Sequence, residues 1–362
     1  MKSGKPHLSQ GFMIILLSIG IMNHVFIIPV LLQTAKRDAW ISVLISIIPL
    51  MIVTTMIYYI SRQMKEQSLE DWIKNNFGNA SILIFRILMT FFFTAICLFT
   101  LFDTTNWARV TFLAATPTLM TSLFLLGLCL FAVISGFKPI AVVSGILLPF
   151  VVLLGFFIMT VNVQYKDYSQ LLPILENGWG KVWKGVIYSC AGSFEILAYL
   201  FMQSKLAKPA KAWQLYMLAF FLIGLTLGPL IGAITIFDPM EAERQRYPAY
   251  EEWRIATLGR YISQTDFFSI YQWLSGSFIR ISLALYLMVD QWNIKSKQRK
   301  NLTFFAISLG FLFTNLLPAN DMIFLNFLKK WYFPASFVFM TAFVVILFLL
   351  AFIASRKKVQ KE

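Results

Sequence analysis

The sequence predicts an all-α integral membrane protein of about ten transmembrane helices, built as a five-plus-five inverted repeat with broken helices 1 and 6. Three observations predict it. First, the 362 residues are 58% hydrophobic and only 13% charged, with a mean hydropathy of +0.71, whereas a soluble domain is about 25% charged. One core could not hide that much apolar surface, so lipid is the solvent for most of the chain. This excludes a soluble enzyme or a nucleic-acid binder. Second, apolar runs long enough to cross a bilayer, about 20 residues each, recur along the whole chain. Third, corresponding runs recur at a fixed offset.

The runs lie near 11–33, 40–60, 81–103, 118–135, 140–160, 183–201, 212–237, 267–290, 302–318 and 332–354. Lys2 and Lys5 precede the first run, which continues past Pro29 without a small-residue cleavage site. It is therefore expected to be a retained span rather than a signal peptide. Ser135-Gly136-Phe137-Lys138-Pro139 separates the fourth and fifth spans as a turn. In 66–78, Leu69, Trp72, Ile73 and Phe77 recur at helical spacing and predict a short amphipathic helix at the membrane interface. The segment 238–266 is long enough to cap a cavity mouth, with a solvated loop as the plainer alternative. The whole of 1–362 reads as a single transporter-like domain, with inverted repeats about 11–160 and 183–354.

The net charge of +14 follows from 31 Lys and Arg against 17 Asp and Glu. With ten spans, 17 of the basic residues fall on the side of the termini and 12 on the other. Basic residues crowd cytoplasmic loops, so both termini are expected to be cytoplasmic and the basicity reports topology rather than a polyanionic partner. Arg356-Lys357-Lys358 reads as a basic stop after the last run. Cys97, Cys129 and Cys190 all lie in apolar runs without paired spacing, which argues against a disulfide framework and for small buried hydrophobes. There is no phosphate-loop motif, no H-E-x-x-H, no G-x-S-x-G and no Arg-rich span. An ATP-driven motor, intramembrane hydrolysis and voltage sensing therefore have no signature, and no metal or cofactor is expected.

Spans six and seven start at 183 and 212, spans one and two at 11 and 40, so both pairs differ by 172. Five spans per half is an odd number, which places the halves in opposite senses. The offset aligns Gly20 with Gly192 and Asn23 with Glu195, all mid-span. Small residues followed by a polar one in matching spans point to two helices broken near the midplane, where freed backbone groups coordinate a ligand. The competing reading is close helix packing, which small residues also permit. The candidate site is thus Gly20, Ile21, Met22 and Asn23 on span one and Ala191, Gly192, Ser193, Phe194 and Glu195 on span six. Phe278 is a further candidate for an apolar lining. On this reading Gly192→Val abolishes a ligand response while the protein stays folded in the membrane.

Two charges remain deep in the spans, Glu195 in the sixth and Arg280 in the eighth. A charge there costs about 2.5–3.5 kcal/mol on insertion scales, so each is expected to face a cavity or a partner. They either pair with one another or meet the carboxylate and amino groups of a ligand, with a purely structural salt bridge as the alternative. Arg86 lies near a span end and can snorkel to the interface. His24 reads first as a hydrogen-bonded packing residue and second as a proton carrier.

At this point the sequence resembles a known family. Leu8-Ser9-Gln10 leads into span one, which ends in Ile28-Pro29, and Ala115-Thr116-Pro117 precedes span four. Leu172-Pro173-Ile174-Leu175-Glu176-Asn177-Gly178 leads to span six with Ser193-Phe194-Glu195 inside it. Tyr247-Pro248 and Arg254 follow, then Trp273 to Tyr286 in span eight. Their order along nearly the whole chain resembles the endospore germination permeases, the B subunits of tripartite nutrient germinant receptors, within the amino acid–polyamine–organocation transporters. Arg280 stands where members commonly carry lysine, which keeps the charge and changes its geometry. Ala114-Ala115 replaces an often more polar pair, with no evident consequence.

The resemblance implies a permease-like subunit, without enzymatic activity, that senses a small nutrient such as an amino acid in the spore inner membrane and triggers germination. It also implies two partners, a membrane A subunit and a lipoprotein C subunit. The alternatives are an autonomous proton-coupled amino acid transporter and a membrane scaffold whose site is vestigial.

Overall fold

The computed structural model describes residues 4–259, 264–317 and 320–359, with the side chains of 357–359 left aside. Lys2, the Lys357 and Lys358 side chains and residues 260–263 of the 238–266 segment thus lie outside the described part. Span one is α1 (Leu8–Ile21) and α2 (Ile27–Ala35), and span two is α3 (Ala39–Ile45) and α4 (Ile47–Met64). Spans three, four and five are α5 (Leu69–Thr111), α6 (Thr118–Ser135) and α7 (Phe137–Val161). Span six is α8 (Trp179–Ser193) and α9 (Ala198–Met202), and span seven is α10 (Ala212–Arg244). After α11 (Pro248–Ile255) come span eight, α12 (Phe267–Asp290), and span nine, α13 (Lys297–Asn315). Span ten is α14 (Asp321–Phe327) and α15 (Phe333–Val359). Among the described residues eight helical stretches are long and apolar enough to cross a membrane, and one of them, Leu8–Met64, contains the first two passes. With α13 each of the ten expected spans falls on helix.

Proline and glycine explain where these helices change. Pro29 has no N–H to give the Val25 carbonyl, and the turn before it, Met22–Phe26, widens into a π-helix. Pro334 likewise has no N–H to give the carbonyl of Lys330, inside the π-turn Leu328–Tyr332 of span ten. Span six instead tightens, with Phe194–Leu197 in a 3-10 turn. The two breaks begin at residues 22 and 194, so they repeat the offset of 172 found for the span starts. At Gly78, φ is +85°, and the chain turns there from a short helix into span three. Leu69, Trp72 and Ile73 of that helix are buried, as its apolar stripe predicts.

Polar contacts tie the helix ends and loops together on both faces. On the face of the termini, Lys5 donates to the Ser204 carbonyl at 2.8 Å, and Asp290 pairs with Lys205 and with Lys300. On the opposite face, the buried Asp38 accepts from the amides of Leu175 and Asn177 at 2.7 and 2.9 Å. Those contacts explain the Leu172–Gly178 motif: its backbone wraps a carboxylate from the first loop.

Outside residues 260–263, the 238–266 segment is a docked cap rather than a solvated loop. Arg246 pairs with Asp103 of span three and with Asp321 of α14 at 3.0 Å. Trp107 and Trp273 stack at 4.1 Å, and Tyr247 meets Trp273 while Tyr250 meets Trp107, both edge-on.

Candidate functional site

The centre of the molecule is the Glu195–Arg280 pair. Arg280 is 0% and Glu195 4% exposed. The guanidinium forks onto the carboxylate, with Nη1 donating to Oε2 at 2.5 Å and Nη2 to Oε1 at 2.7 Å. Nε donates to Thr100 Oγ1 at 3.1 Å, and Nη1 also donates to the Ser18 carbonyl at 3.0 Å. A buried ion pair withstands desolvation only when its remaining donors are met as well, and here spans one, three and six all contribute.

The helix breaks build this arrangement. At the start of the π-turn the Met22 amide donates to the Ile19 carbonyl, and the Ser18 carbonyl takes its hydrogen bond from Arg280. In span six, the Phe194 amide donates to Cys190 and Gly192, and the 3-10 turn that follows carries Glu195. Changes of helical gauge therefore expose polar groups at mid-span without extended chain. In a lipid-embedded segment that is the less costly form of break.

Beside the pair lies a cavity of about 20 Å³ lined by Ile15, Ser18, Phe93 and Leu283 along with Glu195 and Arg280, which is room for about one or two water molecules. Of the candidates named from sequence, only Glu195 and Arg280 line it. The others pack the spans around the breaks. Asn23 donates to Ser193 Oγ and to the Leu222 carbonyl, both at 3.2 Å. Phe194 stacks on Phe337 at 5.8 Å. Ile21 lies against Gly276, where a Cβ would stand 3.0 Å from the Ile21 Cβ. Phe278 is absent from the lining, and its carbonyl accepts from the Cys129 thiol at 3.7 Å. Met22, Asn23 and Ile27 press on Gly192, leaving no room for a side chain there. Gly20 has only Leu225 nearby, at 3.7 Å. Ala191 and Ser193 are buried in the same packing.

Sequence reading missed Ser18, Thr100 and the apolar walls. Thr100, Asp103 and Thr104 stand at i, i+3 and i+4, a polar stripe on one face of span three, and that stripe was the available signal. Its members meet Arg280, Arg246 and Ser277 in turn. Asp103 lies three residues beyond Thr100, about 4.5 Å along the helix, so span three carries two arginine-binding groups one turn apart. The three cysteines are free and buried, and the His24 ring bonds to the Leu225 carbonyl at 3.2 Å. Among the described residues no cluster of side chains suits a metal ion.

Comparison with known proteins bears on this architecture. Residues 7–321 match the family described as Spore germination protein. Spore germination protein XB of Bacillus anthracis is 35% identical over 349 residues, which cover 96% of this chain and 98% of the relative. Among solved structures, that of MhsT in complex with L-phenylalanine superposes with a TM-score of 0.59 at 11% identity, covering 97% of this chain and 99% of the other. A likeness of that kind speaks for the fold.

Proposed function

This chain belongs to the spore germination protein family, and from that membership we propose that it is the permease-like subunit of a nutrient germinant receptor. In this reading it binds a small nutrient, an amino acid, beside Arg280 and Glu195, and triggers germination without enzymatic activity. The observation that carries the reading is the forked Arg280–Glu195 pair at the meeting of two broken spans. A zwitterion carries the same two charges. Its carboxylate replaces Glu195 on Arg280, its ammonium replaces Arg280 on Glu195, and neither buried charge is left unpaired.

The cavity beside the pair is about 20 Å³, so a ligand has to part the pair and shift the walls before it fits. That requirement turns binding into a change of conformation, which a receptor passes to its partners. The partners in this reading are a membrane A subunit and a lipoprotein C subunit, in the spore inner membrane. The basic bias of the loops supports cytoplasmic termini. MhsT holds L-phenylalanine, which is consistent with an amino acid as the ligand class.

Thermal unfolding of the purified chain with a panel of free amino acids and their N-acetylated forms tests the reading. A ligand at 100 times its Kd stabilises by about 2.7 kcal/mol. A shift with a free amino acid but not with its N-acetyl derivative is expected, and no shift with any member overturns the reading. Proteoliposomes containing this chain alone separate sensing from transport. Robust accumulation without partners favours the autonomous proton-coupled transporter.

A further inference from the structure

Glu252, on α11 of the capping segment, is 7% exposed. Its carboxylate lies flat against Gly232 of span seven, where a Cβ would stand 2.5 and 2.7 Å from its two oxygens. Only glycine leaves that slot open. Among the described residues Oε1 has no hydrogen-bond partner, and no cation stands within ion-pairing distance. The backbone around it is firmly held, with the Glu252 carbonyl accepting from Asn162 Nδ2 at 2.8 Å and the Trp253 carbonyl accepting from Thr265 at 3.1 Å. Among the described residues the side chain is therefore locked into that slot as an unpartnered acid.

The charged groups on neighbouring elements are engaged elsewhere. On α11 itself Arg254 pairs with Glu251 at 2.8 Å. Asp167, after span five, accepts from Ser169, and Asp238 on α10 accepts from the amides of Met240 and Glu241. Asp266, before span eight, takes the Tyr250 hydroxyl at 3.3 Å. Among the described residues Lys166 alone acts on Glu252, too weakly to offset burial, which pushes the carboxyl up to about 8. An ionised carboxylate in such a slot costs several kcal/mol, so the acid form is the one that fits.

We propose that the Glu252 carboxyl is a proton-binding site that locks α11 against span seven, and that loss of its proton frees the helix. The site is distinct from the Arg280–Glu195 pair, and the inference stands or falls without any nutrient being known. The sign follows from linkage. Undocked, Glu252 titrates near 4.5, and docked, near 8. The docked state holds the extra proton between those values, so docking weakens as pH rises from about 5 to 8 and changes no further above that.

The test labels Ala249→Cys, a position 7% exposed on the same helix, with a membrane-impermeant maleimide in the purified full chain. The three native cysteines are buried and supply the blank. The labelling rate is divided by that of the same protein carrying Glu252→Gln, which cancels the thiol's own titration. The ratio is expected to climb by up to about tenfold per pH unit, by at least tenfold overall from pH 5 to 8, and then to level off. Any smaller change overturns the proposal. Should Glu252→Gln not fold, Lys166→Gln decides alone. It removes the charge that favours ionisation, so the levelling-off moves to higher pH, and an unmoved profile overturns the proposal.

Discussion

Asn23 Oδ1 lies 2.4 Å from where a Cβ on Gly192 would stand, and Ile27 Cδ1 lies closer still, at 2.1 Å. The Asn23 side chain is held by its bonds to Ser193 and to the Leu222 carbonyl, so it cannot swing away without losing both. Gly192 is thus a point of close approach between spans one and six. The sequence-based expectation that Gly192→Val leaves a folded, unresponsive protein does not fit this geometry, because valine has to push the two broken spans apart. Gly192→Ala is expected to cost about 1–3 kcal/mol, the usual range for overpacking, and Gly192→Val more. Gly20→Ala, whose nearest neighbour is 3.7 Å away, is expected to change stability by less than about 0.5 kcal/mol. Thermal unfolding in detergent compares the three, and equal losses at positions 20 and 192 would show that this packing is not what holds the breaks together.

Glu195→Gln removes the charge partner of an arginine that is 0% exposed. Breaking a buried pair from one side costs about 3–5 kcal/mol, since the surviving charge stays buried and uncompensated. Arg280→Gln is expected to do the same, and the double substitution to recover part of the loss. Unfolding curves for the three variants measure the coupling. A double variant that simply adds the two single losses would show that the pair is not coupled.

Most of the fold was legible in the sequence because its spans are long apolar runs and its halves repeat at one offset. The two buried charges were legible for a related reason, since a charge at mid-span is too costly to be idle. The rest of the site was not. Gly20 and Gly192 occupy matching positions, yet a Cβ on the first would merely touch Leu225 and a Cβ on the second would overlap Asn23 and Ile27. Nothing in the one-dimensional pattern distinguishes a glycine that lines a cavity from one that admits a neighbouring helix. Ser18 acts through its carbonyl, and a backbone oxygen freed by a π-turn leaves no mark on residue type. The cap was ambiguous because Tyr247, Tyr250 and Trp253 look like ordinary loop aromatics until Trp107 and Trp273 are seen beneath them.

Arg246 is expected to matter more than either of its acidic partners. It bridges Asp103 and Asp321 while lying over the Tyr247 ring at 4.3 Å. Arg246→Gln leaves two carboxylates facing each other, one of them buried, whereas Asp321→Asn leaves the Arg246–Asp103 pair intact. Limited proteolysis within 238–266 reports the docking of the cap. Nicking is expected to quicken severalfold in Arg246→Gln and to change little in Asp321→Asn, and the reverse order would mean that Asp321, not Asp103, anchors the segment.

Arg280→Lys tests whether geometry, beyond charge, sets the site. Arginine engages Glu195 with two nitrogens and still reaches Ser18 and Thr100. Lysine has three donors on one atom and a shorter reach, so it can keep the ion pair but not the fork together with both flanking bonds. Each hydrogen bond lost at a charged group is worth about 1.5–3 kcal/mol. The Ser18 carbonyl, left without a donor, is expected to draw the Met22 amide back toward α-helical pairing and to relax the π-turn. Hydrogen exchange at Met22 is the measurement, because it follows that amide directly. An exchange rate in Arg280→Lys equal to that of the parent protein would show that Pro29 maintains the break without help from Arg280.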